Sequence, residues 1–180
     1  MLHSGYVAQA KMANAYVRER VQYRGLNTAG GWIRNPIDVP QKFSARIMSM
    51  AVGIAMDREY SKTNTDGKFH PGDYIRNLEA LAYVSQTGNC SELSAVAFKY
   101  LERQNVRSID YFAVYRGSWN HAFVVLNRDA ATPVTDFAKW SEMAVVCDPL
   151  YGREDIAGNL ARWYPKMFPL NARDVMYRIE

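Results

Sequence analysis

Three side chains in this sequence could together break an amide bond: the thiol of Cys90, the imidazole of His121 and the carboxylate of Asp148. Cys90 follows Thr87-Gly88-Asn89 and opens the helix-like run SELSAVAFKYL. A thiol at a helix N-terminus faces unsatisfied amides and the positive end of the dipole, which favours its nucleophilic, deprotonated form. Gly88 is expected to give a tight turn there and space for a substrate. His121 heads the apolar run HAFVVL, and Asp148 lies at the exit of the run MAVVC. A carboxylate brought beside the imidazole by an antiparallel neighbour would fix its tautomer and stabilise the imidazolium. Each residue has a plainer explanation. Free cysteines are often small buried apolar groups, strand histidines usually make structural hydrogen bonds, and Asp-Pro is a good turn starter. The polar lead-in to Cys90 and the order of the three residues favour the chemical reading.

The elements that must position them follow from periodicity. Residues 4–23 place Tyr6, Ala10, Ala13, Val17 and Val21 on one face of a helix, with Gly25 where it should stop. Residues 24–40 read as a loop, 41–59 as a second helix carrying Ile47 on its apolar face, and 61–72 as a polar turn region. Asp73 is expected to cap a helix through about Val84, and Cys90 to about Gln104 forms another, burying Leu93, Val96, Ala97, Tyr100 and Leu101. The period then changes. Ser108–Arg116, His121–Leu126 and Met143–Cys147 read as strands, with a turn at Gly117-Ser118 and a polar connection over 127–142. A short helix near Ile156–Trp163 and a strand over Asp174–Ile179 complete the chain. Helices first and an antiparallel sheet afterwards is an α+β fold, read here as one domain with a helical part at 1–72 and a catalytic core at 73–180.

Composition narrows the function. The chain has 180 residues, 48% of them hydrophobic and 22% charged, which fits one globular domain rather than a disordered chain. The longest weakly polar run, Met48–Met56, is nine residues, far short of a membrane span. The formal charge of +4 is scattered, so an evenly solvated surface is favoured over a nucleic-acid track. The two cysteines lack the spacing of a zinc or redox pair, so no metal or cofactor is expected. Cys147 reads as core, since strand alternation points it away from Asp148. Glu92 reads as a first-turn charge favoured by the dipole. Trp119 and Asn120 are candidates to line a substrate cleft, with packing at the hairpin end as the alternative for Trp119. Trp32, Trp140 and Trp163 read as core or loop packing.

The segments GNCSELSAVAFKYL, NHAFVVL and VVCDPLYG resemble the Cys-His-Asp core of the papain-like and transglutaminase-like thiol hydrolases. They resemble in particular bacterial effector and toxin domains of the YopT and AvrPphB kind, and related glutamine deamidases. The likeness covers about residues 86–152, while the Cys-Gly-Ser-Cys-Trp signature of plant papains is absent. The resemblance implies Cys90 as nucleophile, His121 as general base then acid, and Asp148 as the orienting carboxylate. It implies Gln86 in an oxyanion hole, with the Cys90 amide and the Asn89 side chain as further donors. It also implies a protein substrate, an immunity protein or chaperone as partner, and residence in the cytoplasm or delivery into a target cell, no signal peptide being visible. Deamidation of protein glutamine, proteolysis and transamidation share these residues, and a non-catalytic binding module is the competing class.

Overall fold

The computed structural model describes residues 2–24, 47, 70–117 and 119–180. It is a mixed α+β arrangement built on one small antiparallel sheet. Among the described residues three longer helices, α1 (Leu2–Arg20), α2 (Pro71–Ser85) and α3 (Cys90–Arg103), precede most of the strands. Between them run two-residue strands β1 (Tyr23–Arg24) and β2 (Thr87–Gly88), paired in parallel. The five-stranded sheet comprises β3 (Ile109–Arg116), β4 (Trp119–Leu126), β5 (Val145–Asp148), β6 (Arg153–Ile156) and β7 (Val175–Ile179), in the order β6-β5-β4-β3-β7. Two one-turn helices, α4 (Phe137–Trp140) and α5 (Leu160–Trp163), lie between strands.

The period-two alternation of strands decides which side chains meet which layer. On one face Ile109, Tyr111, Ala113, Ala122, Val124, Leu126, Val145 and Cys147 join the buried side chains of α1, α2 and α3. On the other, Phe112, Val114, Phe123, Val125 and Val146 pack against Val134, Trp140, Leu160, Tyr164 and Met167. Both faces are covered, so the central strands read as nearly continuous apolar runs rather than half-polar ones. Helix α3 lies against α1, α2 and β4 at once. Its buried set therefore gains Ala95 and Phe98 beyond the stripe read from periodicity, whereas Tyr100 of that stripe is only half-buried.

Several element bounds differ from expectation for local reasons. Helix α2 starts at Pro71, because proline already has the helical φ and lacks the N–H a first-turn position would leave unpaired. Asp73 thus lies inside the first turn, bridged to Arg76 at 3.1 Å, instead of capping it. The connection at 127–142 is not uniformly polar: Val134 and Trp140 are core residues, and the Trp140 indole donates to Val134 O. Strand β6, whose sequence Arg-Glu-Asp-Ile has no apolar alternation, is an edge strand held by backbone pairing to β5. Of the helix expected at 41–59 only Ile47 is described; it is helical and half-exposed. The stop at Gly25, the loop at 24–40 beyond Arg24, and Trp32 and Ser118 lie outside the described residues. No described helix is long and apolar enough to cross a membrane.

At the sheet end where β3 starts and β4 and β7 finish, Asp110 is wholly buried and ties three strands together. Its carboxylate accepts from Arg128 Nε at 2.8 Å and Nη2 at 3.1 Å, and from Arg178 Nη1 at 2.9 Å. Removing the carboxylate strands the buried Arg128 guanidinium, so Asp110→Ala is expected to destabilise the fold by about 3–5 kcal/mol in urea unfolding. An unchanged midpoint would refute this.

Candidate active site

Helix α3 is held so that its first residue faces the start of β4. Asn89 is the N-cap, and a reciprocal capping box joins it to Glu92, whose Oε2 accepts from Asn89 N at 3.1 Å. This is the task of Glu92: a first-turn charge that also closes the cap. Two hydrogen bonds then fix the helix against the sheet. Ser94 Oγ donates to Ala122 O at 2.9 Å, and Tyr111 Oη donates to Ser91 O at 2.9 Å. Gly88 serves packing: a Cβ there would stand 2.9 Å from Leu93 Cδ2, 3.1 Å from its Cγ and 3.2 Å from Glu92 Cβ.

His121 and Asp148 meet on the other face of the sheet. β4 pairs with β5 at Val124 and Cys147. One step further along, Asp148 stands on the same face as Phe123 and His121, two positions apart. His121 Nε2 lies 2.7 Å from Asp148 Oδ2, both side chains being essentially buried. The same Oδ2 accepts from the Tyr164 hydroxyl, and Oδ1 accepts from the amides of Leu150, at 3.1 Å, and Tyr151. With Nε2 on the carboxylate, Nδ1 is the nitrogen left for Cys90, which lines the same cavity. The nitrogens are thus used in the reverse of the serine-protease arrangement, where Nε2 meets the nucleophile.

Burial pulls the imidazole toward its neutral form. Hydrogen bonds to Asp148 and Cys90, with the charges of both, outweigh that and push its pKa up from 6.5 to about 9. Four aromatic rings surround it, with centroids at 4.7 Å for Tyr164, 5.6 Å for Tyr151, 5.9 Å for Phe123 and 6.0 Å for Trp119. Tyr151 and Tyr164 have their phenol pKa raised, first by burial and then by the charge of Asp148.

A cavity of about 70 Å³ opens beside the thiol, lined by Cys90, Ser91, Ala113, Tyr115, Asn120, His121 and Ala122. Asn120 and Tyr115, cross-strand partners, form its exposed rim. Trp119 packs over His121 and Tyr164 instead of lining this cavity. Gln86 also lies elsewhere: it is the left-handed C-cap of α2, exposed, and its Nε2 donates to Tyr83 O at 2.9 Å. Asn89 is engaged in the helix cap and is not a cavity residue. The first-turn amides of α3, those of Cys90 and Ser91, have no carbonyl four residues back within the helix, and both residues line the cavity. Cys147 is on the opposite sheet face from Asp148, its thiol 3.2 Å from Asn14 Oδ1, and both cysteines are free. Among the described residues no cluster of metal-ligand type is present.

Tyr164, Tyr151, Tyr115, Ser91 and Ser94 were not singled out by the sequence. Tyr151 had a usable signal, three residues after Asp148 in the same turn; Tyr164, in a short irregular helix end, had none. No protein-family model, curated protein or solved structure matches this chain.

Three outcomes follow from this geometry. Gly88→Ala should lower stability by roughly 1–3 kcal/mol through overpacking on buried Leu93, and a urea midpoint equal to wild type would contradict it. Iodoacetamide near neutral pH should modify Cys90, 7% exposed at the cavity, well before Cys147, which is 0% exposed and whose thiol pKa burial raises. Peptide mapping reads this directly, and equal labelling would count against it. Because the folded imidazole titrates near 9 and the unfolded one near 6.5, its contribution to stability is complete below 6.5 and fades as pH rises through 9. Stability curves for wild type and His121→Gln should therefore differ most at pH 6 and converge above 9; a constant difference would refute the linkage.

Proposed function

We propose that this chain is a thiol-dependent amide hydrolase with a papain/transglutaminase-like core, acting on protein glutamine. The observation that carries the reading is a single imidazole hydrogen-bonded to a buried carboxylate and lining one cavity with a cysteine that opens a helix. In the reaction, Cys90 Sγ adds to the carboxamide carbon and the oxygen becomes an oxyanion. The Cys90 and Ser91 amides at the start of α3 are the donors best placed to receive it. Collapse breaks the C–N bond, His121 gives its proton to the departing ammonia, and a thioester remains. Water then adds with His121 accepting its proton, and glutamate and the free thiol are released.

The size of the cavity favours a side chain as substrate. A water molecule needs roughly 10–15 Å³ measured this way, so about 70 Å³ has room for a carboxamide and its adjoining methylenes. Tyr115 and Asn120 at the rim are positioned to contact the polypeptide that carries the glutamine. The reading sets no role for a metal or cofactor; a protein substrate is the partner it requires.

The test is intact-mass analysis of candidate proteins and glutamine peptides after incubation. Deamidation raises the mass by ~1 Da per site, whereas a split product would mean proteolysis and an added amine transamidation. Cys90→Ala should lower the rate by about a thousandfold or more while leaving the fold intact, and full activity in that variant would end the proposal. The first step needs protonated His121 as acid, so kcat/KM should fall as pH rises through about 9. In Asp148→Asn that alkaline limb should move to lower pH.

A further inference from the structure

The site contains a group that the three-residue set does not use. Tyr164, at the end of α5, is nearly buried, and its hydroxyl donates to Asp148 Oδ2, the same oxygen that receives His121 Nε2. Its ring lies against the imidazole at 4.7 Å. Arg153 of β6 lies over the Tyr164 ring, 5.2 Å from its centroid, while the hydroxyl proton is directed at the carboxylate. The other carboxylate oxygen is occupied by the Leu150 and Tyr151 amides. Orientation of Asp148 is therefore already secured by the backbone, and the tyrosine hydroxyl adds something else.

Resting on the hydrolase reading for its purpose, we infer that Tyr164 is a positioning residue which, by sharing Oδ2 with His121, limits the hold of Asp148 on the imidazole proton. Two donors on one oxygen each draw on the same negative charge, so the presence of one weakens the attraction for the other. Without that sharing the carboxylate would keep the imidazolium more tightly, and the proton would pass less readily to the leaving ammonia. The groups that face His121 are few. Asp148 comes from β5, Cys90 from α3 and Tyr151 from the turn after β5; Tyr164 carries Arg153 behind it, and Trp119 and Phe123 are apolar. Of the two tyrosines whose rings pack on the imidazole, Tyr164 is the one whose hydroxyl donates to Asp148 Oδ2, and Tyr164→Phe deletes that hydroxyl while keeping the ring.

The experiment is NMR titration of histidine-labelled protein without substrate. Only three histidines are present, and His121→Gln assigns the signal. In Tyr164→Phe the His121 midpoint should move up by about half a unit or more, and in Asp148→Asn it should move down. A second arm places 3-fluorotyrosine at position 164, whose more acidic hydroxyl donates more strongly without changing the packing. There the midpoint should move down, which decides the matter if Tyr164→Phe does not fold. A midpoint that stays put or falls in Tyr164→Phe overturns the inference, as does one that stays put or rises with fluorotyrosine. Retained activity in Cys90→Ala would end the hydrolase reading without touching these titrations, so the two failures are separable.

Discussion

A carboxylate with no exposed surface needs donors on every side, and Asp148 is the point around which this structure is arranged. It receives one imidazole, one phenol and two backbone amides. Those donors come from β4, from the end of α5 and from the turn that follows β5, so a single charge ties together elements far apart in the chain. The imidazole it holds is in turn the contact to Cys90, on the opposite layer. Burial of the pair is what gives the interaction its strength, because the local dielectric is low.

The helical layer supplies the other half. A cysteine at the head of a helix is useful only if the helix cannot slide, and α3 is fixed along its length. Its apolar side chains are buried against α1, α2 and the sheet, Ser94 and Tyr111 join its first turns to β4 and β3, and the Asn89–Glu92 box closes the cap. Gly88 permits the approach, since a side chain there would occupy the space of Leu93. The opposite end of the sheet is secured by the buried Asp110 with Arg128 and Arg178. Polar networks therefore stand at both ends of an otherwise apolar sheet, one serving the fold and the other presenting a cavity to solvent.

Much of the architecture was legible because it rests on local rules. The stripe of α1, the polar break before the helix that Cys90 opens and the aromatic and branched runs of β3 and β4 each report a period or a backbone preference. The places that resisted share a cause. Strand β6 is polar and is held by pairing to β5 and by Asn14 of α1, α4 is a single turn inside a connection, and the start of α2 was displaced to Pro71 by the proline's fixed φ. At the site, the three residues selected by type and order are brought together. Gln86, chosen by the family resemblance, and Trp119, chosen for its place before His121, point to other neighbours because a left-handed cap and a strand's alternation turn them away.

The sequence by itself determined which residues carry reactive groups, that one of them opens a helix and two lie on strands, and that the whole is α+β. Those are properties of composition and short-range periodicity. Only the tertiary structure decided which imidazole nitrogen meets the carboxylate, that Tyr164 shares its oxygen, and how large a cavity remains beside the thiol. Such features arise where side chains from separate layers converge, and the distance between layers is set by packing volume, which no local pattern records.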